Sequence, residues 1–68
     1  MTTIVKVIGF LAESTVSYEE ATSAAVAQAT KLINNIQNVQ IVSLKAVVED
    51  NNVIRYRANT RISYLVEE

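Results

Sequence analysis

"RYRANTRISY", residues 55–64, carries three of the chain's six basic residues, Arg55, Arg57 and Arg61, all at odd positions, while Tyr56, Ala58, Ile62 and Tyr64 take even ones. Successive side chains of a β-strand point to opposite faces, so this stretch reads as a strand with a tyrosine-bearing apolar face and an arginine face. The alternation runs from Ile54 to Val66, with Asn59 and Ser63 on the arginine side. Like charges on alternate positions of one face repel, so the stripe needs something negative nearby. Ion pairing with Glu49, Asp50, Glu67 or a neighbouring subunit's carboxylates is the simpler solution. The sharper one is an anion site in which guanidinium forks hold a phosphate-bearing ligand.

Upstream of this strand, "EDNN" (residues 49–52) supplies turn chemistry, because Asp and Asn tolerate left-handed backbone and bond their own main chain. Residues 39–49 form its hairpin partner. Val39 and Ile41 fall on one parity and Leu44, Ala46 and Val48 on the other, a phase change that predicts a β-bulge near Val42 and Ser43. Further back, "STVSYEEA" is a helix start, with Ser17 as N-cap, Glu20 as its capping-box partner and Val16 placed to staple against Ala21. Tyr18, Ala21, Ala25, Ala29, Leu32 and Ile33 follow at helical spacing, so the helix is expected to reach about Asn34 behind a stripe of alanines. Residues 3–12, "TIVKVIGFLA", are apolar at both parities and read as a first strand covered on both faces. Gly9 inside it signals a bulge or a close backbone approach.

The order is strand, helix, strand, strand. A right-handed crossover leaves the first two strands parallel, and the third slots between them antiparallel to both. The expected fold is α+β, a β-α-β-β chain whose three-stranded antiparallel sheet wraps on one helix, with residues 1–68 forming a single domain. One sheet face is then left without a layer.

Sixty-eight residues bury too small a share of their surface for comfortable stability alone. The chain has neither cysteine nor histidine, so disulfides and the usual zinc sites cannot staple it, and oligomerisation is what remains. Half its residues are hydrophobic, more than one small monomer readily hides. A formal net charge of -1 gives no general pull toward nucleic acid or anionic membrane. No apolar run has membrane-spanning length and "MTTIVKVIGF" lacks a signal-peptide cleavage pattern, so a cytoplasmic protein is expected. Without a histidine or cysteine, a Walker loop or a nucleophile–base pair, enzyme chemistry has little support.

"VKVIGFL" leading to Ala12 and Ser14, then "SYEEATSAAVAQA", the hairpin and "YRANTRISYLVEE" together resemble the dodecin family over nearly the whole chain. The resemblance implies a small non-enzymatic ligand-binding or storage protein assembled as a hollow homo-dodecamer, in a family whose members bind flavin. Flavin-binding members place a tryptophan ahead of the second strand, where its ring stacks on the isoalloxazine, and a glutamine on the last strand. The matching positions here are Asn38 and Arg57. Asparagine offers no aromatic face, so a stacking contribution of about 0.5–1.5 kcal/mol is absent, while Arg57 adds a charge. Candidate cofactor-binding residues are therefore Asn38 and Arg57, with Lys45 and Arg55, for FMN, FAD, riboflavin or another nucleotide. A family branch lacking the tryptophan is linked to calcium, and "VSYEEA" with "INNIQ" is closer to it. The corresponding metal candidates are Glu13, Ser14 and Glu19 around the helix start, where capping is the simpler explanation. The "EDNN" oxygens lack the spacing of an EF-hand loop and fit a hairpin turn better.

Overall fold

The last strand organises everything around it. In the computed structural model, which describes residues 2–66, four elements follow in chain order: β1 (Ile4–Ser14), α1 (Tyr18–Leu32), β2 (Ile36–Glu49) and β3 (Asn52–Val66). The sheet order is β1-β3-β2, and β3 is antiparallel to both neighbours. Its even residues Ala58, Thr60 and Ile62 are buried, while Arg55, Asn59 and Arg61 are exposed. The parity read from the sequence is thus the parity of the fold.

Helix α1 lies on the even face. Its buried residues are Ala21, Ala25 and Ala29, and with Ala58 and Ile62 they complete the buried hydrophobic core among the described residues. Side chains this small let the helix backbone approach the sheet closely, which is why an alanine stripe suffices here. Thr60 adds a buried hydroxyl, satisfied by donating to the Phe10 carbonyl on β1 at 3.0 Å. Tyr18 and Tyr56 meet edge to face with ring centroids 4.9 Å apart, closing one end of the helix–sheet seam.

The helix start is a capping box with an inserted member. Ser17 Oγ accepts the Glu20 amide at 3.0 Å, as expected, but the Glu20 carboxylate does not return to Ser17 directly. Instead Ser14 Oγ accepts the Val16 and Ser17 amides at 2.9 and 3.3 Å and donates to Glu20 Oε1 at 2.9 Å. Val16 stays exposed, so the anticipated staple against Ala21 hides little apolar surface. At the other end, α1 stops at Leu32, short of the expected Asn34. Ile33 turns extended while its amide still donates to Ala29 O, and Asn35 takes a left-handed φ of 61° that asparagine tolerates.

Strand β2 begins at Ile36, ahead of the expected residue 39, because a register shift between Ile36 and Asn38 hides its start from simple alternation. A second shift lies between Ile41 and Ser43, where the phase change predicted a bulge. It keeps Val39 and Ile41, then Leu44 and Ala46, opposite the even residues of β3. The hairpin loop is Asp50–Asn51, both left-handed with φ of 52° and 63°, as a two-residue turn of type I′ requires. Gly9 behaves otherwise than its position suggested. It pairs with Arg61 in an unshifted ladder, and an added Cβ would sit 3.8 Å from the Thr60 carbonyl, ordinary contact rather than a forced approach.

The result is long and thin, 55 × 19 × 13 Å, with a radius of gyration of 14.2 Å against about 11 Å for a compact domain of this length. Its accessible surface of 5004 Å² exceeds the roughly 4,200 Å² expected of a monomer this size. Large apolar side chains lie on that surface. Val5, Val7 and Leu11 stand exposed on the open face of β1, and Ile41 and Leu44 on the helix side of β2, which α1 does not cover. Among the described residues no helix is long and apolar enough to cross a membrane.

Candidate functional site

The odd residues of β3 and their cross-strand partners build the open face row by row. Glu13 on β1 pairs with Arg57 on β3, which pairs with Lys45 on β2. The next row is Leu11, Asn59 and Ser43. Between the rows lies a depression of about 170 Å³ lined by Leu11, Ser43, Lys45, Arg57 and Asn59. It offers two cations, an amide and a hydroxyl around one aliphatic side chain. That is a lining suited to an organic ligand with an anionic or hydrogen-bonding edge.

The Arg57 guanidinium is held in place from within the chain. Its Nε donates to Glu13 Oε2 at 2.8 Å, and Arg55 Nη1 lies 4.0 Å from Glu13 Oε1. The hydrogen bond from Arg57 holds the Glu13 carboxyl below its ordinary 4.5; partial desolvation opposes it, and the charges of Arg57 and Arg55 add to it. Both partners keep substantial exposure, 41% for Arg57 and 34% for Glu13, so water screens the pair. Within the chain, the partner of Arg55 and Arg57 is therefore Glu13 on the adjacent strand, rather than Glu49 or Asp50; Glu67, also considered, lies outside the described residues. Lys45 and Arg61 make no ion pair with another described residue.

The remaining candidates lie apart. Asn38 shares the open face but pairs with Ser63, six positions along β3 from Arg57, roughly 20 Å at about 3.3 Å per residue. Lys45 and Arg57 meet at one depression with Arg55 on the same strand, whereas Asn38 joins them only if another copy supplies it. Glu13 and Ser14 are consecutive on β1 and face opposite ways, Glu13 to the open face and Ser14 into the helix cap. A hydroxyl has one donor and two acceptor sites, and those of Ser14 are all engaged. Glu19 stands on the first turn of α1 beside Tyr18, Thr22 and Ile41. Among the described residues no three acidic, histidine or cysteine side chains gather at one point. Leu11, Ser43 and Asn59 escaped the reading of the sequence as lining residues; for Asn59, its shared parity with Arg57 was the available signal.

The family profile described as Dodecin matches residues 4–67. No curated protein matches the chain by sequence. Among solved structures, a dodecin variant from T. thermophilus superposes with a TM-score of 0.90 at 19% identity, covering 98% of both chains. Dodecin from Streptomyces coelicolor gives 0.90 at 17% identity, over 97% of this chain and 94% of that one. The calcium-chelating immunodominant antigen calcium dodecin of Mycobacterium tuberculosis, described with a novel calcium-binding site, gives 0.83 at 25% identity over 94% and 91%.

Proposed function

The chain belongs to the dodecin family, and from that premise we propose a non-enzymatic small-ligand-binding and storage protein that works as a closed, hollow dodecamer of one domain per chain. The observation that carries this reading is the sheet face without a layer. Apolar Val5, Val7 and Leu11 and the arginine row lie on a surface that α1 does not cover. Copies packed through that face bury the apolar residues and place the basic row at interfaces or toward the lumen.

The ligand site in this proposal is the depression at Lys45 and Arg57, with Arg55 beside it and Asn38 contributed by another copy. Without a tryptophan to stack on an isoalloxazine, its selectivity falls on charge. An FMN-like or nucleotide ligand bound by its anionic group is favoured over a neutral ring system. The likeness to the M. tuberculosis calcium dodecin supports a second reading, a calcium-binding assembly using Glu13 and Glu19 from adjoining copies, with Ser14 available only if the helix cap opens. Thermal unfolding with added FMN, and separately with calcium followed by chelator, tests these readings. A rise in melting temperature with FMN supports the first, and a chelator-reversible rise with calcium supports the second. A melting temperature unmoved by either would remove ligand binding from the proposal.

A further inference from the structure

Glu13 stands in the same sheet row as the proposed ligand depression, and its carboxylate already holds part of the guanidinium that an anionic ligand would use. Arginine binds phosphate or carboxylate most strongly through two parallel N–H donors. With Arg57 Nε committed to Glu13 Oε2 at 2.8 Å, the side-on fork formed by Nε and one Nη is closed to a ligand. The same carboxylate lies 4.0 Å from Arg55 Nη1, so one internal anion engages two of the three cations in this patch and leaves Lys45 without an ion pair among the described residues. Glu13 is also placed to let go. Its side chain is 34% exposed and the pair is screened by water, so rotation away from Arg57 replaces a modest interaction with solvation.

We propose that Glu13 is an internal competitor for the ligand's anionic group, a carboxylate latch that occupies Arg57 in the empty protein and swings aside when a phosphate takes its place beside Lys45. This rests on the Lys45–Arg57 depression being the anion site. The latch lowers affinity for phosphorylated ligands and leaves neutral ones untouched. It also keeps the arginines from repelling one another while the site is empty.

The test is calorimetric titration of the assembled wild-type protein and of Glu13→Gln with FMN and with riboflavin, which share a ring and differ by the phosphate. Glu13→Gln is expected to bind FMN about threefold more tightly than wild type, the scale of one exposed ion pair, with riboflavin unchanged. Arg57→Gln is expected to abolish the preference for FMN. Glu13→Asp retracts the carboxylate by one methylene and keeps its charge; it gives a smaller gain in FMN affinity and serves if the glutamine variant fails to assemble. If wild type prefers FMN to riboflavin and neither Glu13 variant changes that preference, the latch is wrong while the anion site stands. If no variant distinguishes FMN from riboflavin, the anion site is wrong and the latch falls with it.

Discussion

The two faces of this sheet are built from alternate residues of the same strands, yet only the strip of one of them that lies under the helix is finished within the chain. On the even face, Ala58, Thr60 and Ile62 meet Ala21, Ala25 and Ala29 with almost no solvent access, and the buried threonine hydroxyl has its partner. On the odd face, Arg55 and Arg57 share one screened carboxylate, Arg61 has no ion pair among the described residues, and aliphatic side chains stand in water. Packing within one chain therefore fixes Ala58, Thr60 and Ile62. The odd residues have no such layer within the chain, and Glu13 is the one carboxylate that engages their arginines among the described residues.

The sharpest way to break this contrast is to truncate one residue on each face. Ile62→Ala removes the largest buried side chain of the closed face and is expected to cost about 2–5 kcal/mol, read as a lower melting temperature. Leu11→Ala on the open face, where the leucine is 62% exposed, is expected to leave far-UV circular dichroism unchanged at high concentration. Its effect should appear as smaller species on dilution in mass photometry. If Leu11→Ala unfolds the associated protein as readily as Ile62→Ala, the division between the faces is wrong.

Ser14 lies at the border between the two faces, where β1 hands over to the helix. Ser14→Ala strips an acceptor from two amides and a donor from the Glu20 carboxylate, with an expected loss of about 1–3 kcal/mol in chemical denaturation. Ser17→Ala removes one capping bond, and about 1 kcal/mol is expected. A larger loss for Ser17 than for Ser14 would show that the inserted serine is incidental to the cap.

The smallest effect is expected from Glu13, and it depends on pH. Its folded-state carboxyl titrates below the ordinary 4.5, so its contribution is complete above that value and is lost as pH falls through the lowered folded value. Wild type and Glu13→Gln should therefore differ slightly in denaturation midpoint at neutral pH and converge in acid. A difference that widened in acid would mean that Arg57 does not hold the ionised form.

Much of the closed face was legible because its signals are local. The period-two alternation of residues 54–66, the alanine stripe, the Ser17 cap, the Asp–Asn turn and the phase change at Val42 each reflect backbone geometry that nearby residues impose. Strand β1 was less legible because it is apolar at both parities, and Gly9, read as a bulge or a close backbone approach, proved to be neither, in a ladder whose regularity no alternation announces. The start of β2 was hidden by the irregularity at Ile36 and Asn38. The pairing of Glu13 with Arg57 joins residues far apart in sequence and becomes visible only once the register of β1 on β3 is known. Ser14's hold on the helix cap likewise depends on β1 continuing to residue 14, beyond the end its composition suggested.

The central claim is that the open sheet face is completed by other copies of the chain. Native mass spectrometry of the untreated protein tests it most directly, because it weighs the assembly together with any ligand that it retains. A single dominant species of twelve chains is predicted, with dissociation products only under harsher activation. A folded monomer as the principal species, with the apolar residues of β1 left in water, would contradict the account.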